Sequence, residues 1–266
     1  MTRNSWMRTT ALAAALAATV AALALVAGCG SQRITFIYPN EKLDLSLVGS
    51  RTPAVYIDTV TDMRPPVQRK GEGHFLKITF PKDNAWEAPA TTLYAEALAQ
   101  DLEQTGLVVL VPLAAQADYR LSADLMSFTC TLQRSVTSYA VTGLIGGAAG
   151  AFIGGGGDNS LKTGIAGALA GMMAIPVPTN NRAEAEVRLT LRDRTGDIVW
   201  QKSCYGEINE RSYVTPTARP DQEMVNRNLT RAVKRANACL FGQLRQLLAE
   251  RARPAPAAAD TSAAAK

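Results

Sequence analysis

The chain has a single histidine, His74, in the loop-like stretch RKGEGHFL. A zinc site needs several His or Cys ligands at set spacing, and a nucleophilic triad needs a histidine beside a placed hydroxyl or thiol and an acid. Neither can be assembled around His74, which reads as a loop residue. Asp58, Asp62 and Glu72 have the chemistry of paired carboxylates for glycosyl transfer. No spacing singles them out, and Asp62 with Arg64 reads as a local ion pair at a strand end. The run GGGG at 154–157 lacks the lysine and hydroxyl that complete a phosphate-cradling loop. The residues predict no catalytic group, no metal and no cofactor, and therefore a protein that is not an enzyme.

The cysteines carry more. Arg3 and Arg8 precede a largely apolar run from Ala11 to Ala27, the layout of a secretory signal. It closes on Val26-Ala27-Gly28-Cys29, which resembles the bacterial lipobox. That resemblance implies removal of residues 1–28 and lipidation of Cys29. Gly30 and Ser31 follow, without the aspartate linked to inner-membrane retention, so the resemblance also points to the outer membrane with the domain facing the periplasm. Several acyl carbons at roughly 0.8 kcal/mol per buried methylene make a firm anchor. Only Gly30 to Arg33 separate it from Ile34, a span of at most about 14 Å. Cys130, Cys204 and Cys239 remain, and an oxidising periplasm allows one disulfide among them, with the pair left open.

About 238 residues follow the signal, enough for a real core. The signal holds two of the 28 basic residues and no acid, leaving 26 against 23 acidic. That balance is too even to argue for nucleic acid.

The elements that position these residues follow from periodicity. An apolar segment, ITFIYP, opens the mature chain. PAVYIDTVTDMRPP alternates between prolines and predicts a strand, and FLKITF a second. Leu93, Ala97, Leu98 and Leu102 recur at three and four, predicting a helix from Ala90 to Gln104 stopped by Gly106. LVVLVPL predicts a buried strand, and ADYRLSADLMSFTCTL an alternating one. AEVRLTLRDRTGDIVWQKSCYGEI reads as a hairpin turning on Arg194-Thr195-Gly196-Asp197. A long amphipathic helix runs from Asp221 to about Arg251, its stripe formed by Val225, Leu229, Val233, Ala236, Leu240, Leu244 and Leu247. Its opposite face carries Arg227, Arg231, Lys234 and Arg245, either solvated or in contact with lipid phosphates or an acidic partner. The Ala/Pro tail, 253–266, reads as disordered.

The predicted fold class is α+β: a mainly antiparallel sheet with two packed helices. The domain comprises 29–138 and 179–252, interrupted by a glycine-rich hydrophobic helical hairpin at 139–178. Twenty-three uncharged residues lie between Arg134 and Asp158, and 19 between Lys162 and Arg182. At 100° per residue, Gly143, Gly146, Gly147, Gly150 and Gly154 share an arc of about 100°, with Val141, Ile145, Ala148 and Phe152 opposite. Gly164, Gly167 and Gly171 repeat the pattern against Ile165, Leu169, Met172 and Met173. A strand would place glycines on both faces and give neither a polar lining, unlike a barrel strand. In water the five glycines of the first arm cost a helix roughly 5 kcal/mol against alanine. In lipid, a helix is the only open-chain solution and small-xxx-small faces let backbones approach. The first arm reaches roughly 35 Å, enough for a hydrocarbon core of about 30 Å, and the second, cut by Pro176 and Pro178, is shorter. The readings are a membrane-inserted hairpin, a contact buried in an oligomer, and a surface loop.

A lipobox, a small α+β domain, a glycine-zipper hairpin between its strands and a C-terminal helix together resemble the surface-exclusion and complement-resistance lipoproteins of the TraT type. VTDMR at 60–64 is similar to the D-x-R segment of YajG-like lipoproteins, and the domain order resembles CsgG and PelC, lipoproteins that form export rings. The GEGHFLKITFPKDNAW stretch and the tail depart from the pattern, so no conjugation role is carried over. The resemblance implies a non-catalytic outer-membrane lipoprotein that assembles as a homo-oligomer, each copy giving a hairpin to the membrane. The alternative is a monomeric periplasmic module docking a glycan or an envelope protein.

Overall fold

The computed structural model describes residues 34–40, 45, 52–73, 77–137, 140–141, 143–145, 148, 168, 176–214 and 222–252. All belong to the compact unit Ile34–Lys266, which is distinct from Met1–Arg33. Cys29, the signal, His74, the tail and the glycines 146, 147, 150, 154, 164, 167 and 171 lie outside the described residues.

The described chain runs β1 (Ala54–Asp62), α1 (Pro66–Lys70), β2 (Glu72–Gly73), β3 (Lys77–Phe80), α2 (Ala90–Thr105), β4 (Val109–Leu110), β5 (Tyr119–Arg134), β6 (Val177–Arg192), β7 (Ile198–Val214) and α3 (Gln222–Ala252). The architecture is α+β. β5, β6 and β7 form a long antiparallel ribbon, with Arg120 opposite Arg192 at one end and Arg134 opposite Thr179 at the other. The far edge of β5 is shared. Its first half pairs with β1, and residues Cys130–Gln133 pair with β3, which in turn pairs with β2. β1 runs parallel to both β4 and β5, because α2 supplies the crossover that parallel neighbours require.

One face of this sheet is covered by α2, α3 and the N-terminal segment; the other is polar. Alternation decides the faces: Ala183, Ala185, Val187, Leu189 and Leu191 of β6 are buried beside Leu121, Ala123 and Leu125 of β5. A bulge between Leu125 and Ser127 shifts the parity by one, so Phe128, Cys130 and Leu132 take over the interior positions. α3 answers with Val225, Leu229, Val233, Ala236, Leu240 and Leu244, all at most 1% exposed, as its stripe predicts.

Two departures from expectation have local causes. The stretch around Val109 forms only a two-residue edge strand, since Leu107 and Val108 turn inward beneath α2 while Val109 faces solvent, and Pro112 lacks the donor needed to extend the ladder. The hairpin strands are also longer than read: β6 starts at Val177 and β7 runs to Val214. α2 ends as expected, on Gly106 in the left-handed conformation at φ 63°.

Candidate functional site

The insert leaves the sheet where β5 ends and returns where β6 begins, on adjacent antiparallel strands. It is therefore rooted at one pole of the domain, and Tyr213 of β7 stands beside Pro178 there. Within 139–178, the described residues Ala140, Val141, Gly143, Leu144, Ile145, Ala148 and Ala168 are helical, as are Val136 and Thr137 just before it, whereas Val177 and Pro178, read as part of the hairpin, belong to β6. Val141, Leu144, Ile145 and Ala148 follow the three-and-four spacing of one helix face, and all are exposed. Leu144 is 75% exposed, Val136 62% and Tyr213 77%. Large apolar side chains are thus open at this end of the domain. Among the described residues no helix is long and apolar enough to cross a membrane.

The N-terminal segment packs against α3. Tyr38 lies beside Lys234 and Asn237 of α3, whereas Ile37 bonds Asn226 and Thr230, one to two turns nearer the helix start. That start is docked on the insert end of the ribbon, through Asn181 Nδ2 to Met224 Sδ at 3.2 Å and Arg227 to Glu210 at 3.3 Å. Read from Tyr38 back to Ile34, the chain passes from Asp101 of α2 to Glu87 and Trp86, which precede that helix. Ile34 is held by a bridge to Trp86, and Phe36 packs edge-on against Trp86 and Phe128, whose rings stack at 5.0 Å.

A buried polar cluster fastens this segment. The Asp101 carboxylate, 3% exposed, accepts bonds from the Tyr38 hydroxyl and from Asn237 Nδ2 at 2.8 Å, and lies 3.6 Å from Lys234 Nζ. Tyr94 donates to Asn237 Oδ1 at 2.9 Å. Burial, then the Asp101 charge and hydrogen bond, holds the Tyr38 hydroxyl far above the ordinary phenol range, so it stays a donor. Burial and the same carboxylate raise Tyr94.

This cluster corrects the basic stripe read on α3. Lys234 is not on an open face: its side chain is 14% exposed, spanning to Asp101 with Nζ 4.6 Å from the Tyr38 ring centre. A lysine at the margin of the apolar stripe runs its methylenes along the core surface, a geometry that a helical wheel does not register. Arg227 pairs with Glu210 across to β7. Arg231 and Arg245 remain exposed.

Asp58 and Asp62 do not converge on a reaction centre, and the side chain of Glu72 lies outside the described residues. Asp58 is exposed on β1. Asp62 accepts from Arg64 Nε at 2.9 Å and Nη2 at 2.8 Å, and Arg64, with its side chain 1% exposed, also reaches Asp83 at 2.8 Å. The ion pair expected at the strand end is therefore present, and it clamps the stretch containing Asp83 to β1. Partial burial pushes Asp62 upward, but the Arg64 hydrogen bonds and charge, with Arg69, outweigh it and hold the carboxyl below its usual range. Cys204 and Cys239 form a disulfide between β7 and α3. Cys130 is buried, and burial, then Glu184, pushes its thiol up to about 12. No local pattern signals the N-terminal clasp, because Tyr38, Asp101 and Asn237 are far apart along the chain.

No protein-family model matches the sequence, and no curated protein matches it. Solved structures align with the chain at low identity. A DUF330-family protein from Xanthomonas campestris aligns at 12% identity over 82% of this chain and 98% of its own, with a TM-score of 0.43. A lipoprotein from Neisseria meningitidis aligns at 8% identity over 74% and 99%, with a TM-score of 0.30. A PelC dodecamer from Paraburkholderia phytofirmans aligns at 11% identity over 74% and 92%, with a TM-score of 0.25.

Proposed function

We propose that this chain is a non-catalytic envelope lipoprotein of the outer membrane, tethered by lipid on Cys29, whose insert enters the membrane as a glycine-zipper hairpin and joins copies of the chain into an assembly. The observation that carries this reading is the pole itself. The insert's exposed apolar helix face stands at one end of the sheet, and the ordered domain begins at Ile34, only five residues from Cys29. A lipid anchor and an apolar hairpin reaching the same bilayer need that arrangement. The disulfide fits an oxidising compartment.

The test is the state of the full-length lipidated protein extracted in detergent. Size-exclusion chromatography and negative-stain imaging are expected to give a closed ring, and Gly147→Leu with Gly150→Leu to dissociate it without unfolding the domain. A monomer that docks a glycan or envelope protein, unchanged by those substitutions, would replace this reading with that of a binding module.

A further inference from the structure

We propose that the open edge of β7 in one copy of the chain pairs with the open edge of β1 in the next copy, so that one sheet continues from subunit to subunit. Among the described residues β6 is the single strand partner of β7. Which of its backbone groups are left open follows from alternation, since successive residues of a strand turn their N–H and C=O to opposite sides. The Met63 nitrogen donates to the Leu125 carbonyl, so Leu125 faces β1 and its neighbour Asp124 faces β6. Carried through the pairs Asp124–Arg188 and Val187–Cys204, this turns Cys204 toward β6 and leaves Ser203 and Tyr205 facing outward. Arg235 takes up the next outward carbonyl, that of Glu207. On the opposite edge, β4 covers β1 only at Ala54 and Val55, and among the described residues no strand pairs there with Ile57–Asp62.

The two edges match in height, direction and chemistry. Through the register Ile198 lies in the row of Tyr56 and Cys204 in the row of Asp62, and β7 runs the same way as β1. At the turn end, Ile198 is 53% exposed on one edge, while Val109 and Leu113 are 53% and 57% exposed on the other. Farther along, Lys202 of β7 and Asp58 of β1 are both exposed, and neither lies in an ion pair among the described residues. Asp58 stands in the bulge between Ile57 and Val60, where β1 leaves strict alternation. A lysine alone protects an edge from pairing; facing an acid of the next copy, it directs the pairing to that edge. Antiparallel pairing of β7 with β7 would set the two inserts at opposite ends, which one bilayer cannot take. Pairing β7 with β1 keeps every insert at the same end, and such a heterologous contact closes into a ring. The inference rests on the assembly proposed above and names a surface that builds it.

The experiment uses the full-length lipidated chain in detergent. Ile198→Cys and Val109→Cys are made singly and together, oxidised, and read on non-reducing gels. The double variant is expected to give a ladder of linked copies and the two single variants, co-expressed, a linked dimer, whereas each single variant alone gives none. Ser203→Pro removes an outward N–H that β6 does not use, and is expected to shift the size-exclusion peak from assembly to monomer with circular dichroism unchanged. Lys202→Glu and Asp58→Lys are each expected to weaken association about two- to five-fold, and the two together to restore it. That swap carries the test if Ser203→Pro fails to fold. Linkage of Ile198→Cys to itself, an unlinked double variant that still assembles, or an assembly indifferent to Ser203→Pro and to both charge variants overturns the proposal. Assembly that survives Ser203→Pro but not Gly147→Leu with Gly150→Leu removes this edge contact and keeps the hairpin contact, whereas a monomeric wild type removes both.

Discussion

Asp101 shows how much one buried carboxylate organises. It is the acceptor for Tyr38 of the N-terminal segment and Asn237 of α3, and the counter-charge of Lys234. Removing one partner of such a pair leaves an uncompensated charge in the interior, at a cost of about 3–5 kcal/mol. Lys234→Met is therefore expected to lower the urea midpoint sharply and to loosen residues 34–38, read as faster amide exchange at Phe36 and Tyr38. The double variant Lys234→Met with Asp101→Leu is expected to recover part of the loss, since two apolar groups leave no charge unpaired. Asp62 gives a pH signature of defined sign. Its carboxyl is lowered in the folded state, so the stability it supplies is complete above the unfolded value near pH ~3.9 and is lost as pH falls through the lower folded value. The midpoint difference between wild type and Asp62→Asn is expected to be largest near neutrality and to close in acid, checked by urea titration at both pH values. Of these residues only the Asp62–Arg64 pair was legible in sequence, being two residues apart. The Asp101 cluster joins positions separated by 63 and 136 residues, and no local pattern encodes that.

At the scale of elements, α3 meets the ribbon through small residues. A Cβ on Gly206 would stand 1.9 Å from the Ala232 carbonyl oxygen and 2.9 Å from the Ala236 nitrogen. Both clashing atoms are backbone, so α3 itself would have to move off β7. Gly206→Ala is expected to cost about 3 kcal/mol, the upper part of the overpacking range, seen as a lowered midpoint with an unchanged urea slope. A few residues away, the Cys204–Cys239 disulfide closes a 35-residue separation that includes the β7–α3 connection. The chain-entropy model gives such a loop about 4 kcal/mol, so Cys239→Ser is expected to lose roughly that amount, and reductant to weaken the wild type alone. Periodicity foretold α2, α3, β5 and the β6–β7 hairpin, because each buries a regular face. It also placed the insert between two strands that turn out to be neighbours. It overran at Val109, where tertiary burial of Leu107 and Val108 takes the residues that a longer strand would need, and it missed the crossing at Gly206, since a single glycine in a strand has no pattern.

The described domain has two unlike ends. At one, Asp193 caps the β6–β7 turn by accepting from the backbone nitrogens of Thr195, Gly196 and Asp197, at 2.9, 3.1 and 3.1 Å, beside Arg194 paired with Asp118. That end is charged, with Ile198 and Val109 each about half exposed beside it. At the other, Tyr213, Val136, Val141, Leu144 and Ile145 are open. If the two attachments act on one bilayer, they are redundant for location and separable by mutation. Cys29→Ser alone, which removes the proposed lipid attachment, is expected to remain in the membrane fraction through residues 139–178 and to resist carbonate extraction. Deleting 139–178 alone is expected to leave a protein held only by lipid. Combining the two is expected to release a soluble, folded domain, because β5 and β6 keep their register when a short turn joins Arg134 to Thr179. Fractionation followed by circular dichroism checks all three. Complete solubility of Cys29→Ser with the insert intact would mean that the open pole is covered by another copy of the chain rather than by lipid, since apolar side chains of that extent do not stay in water uncovered.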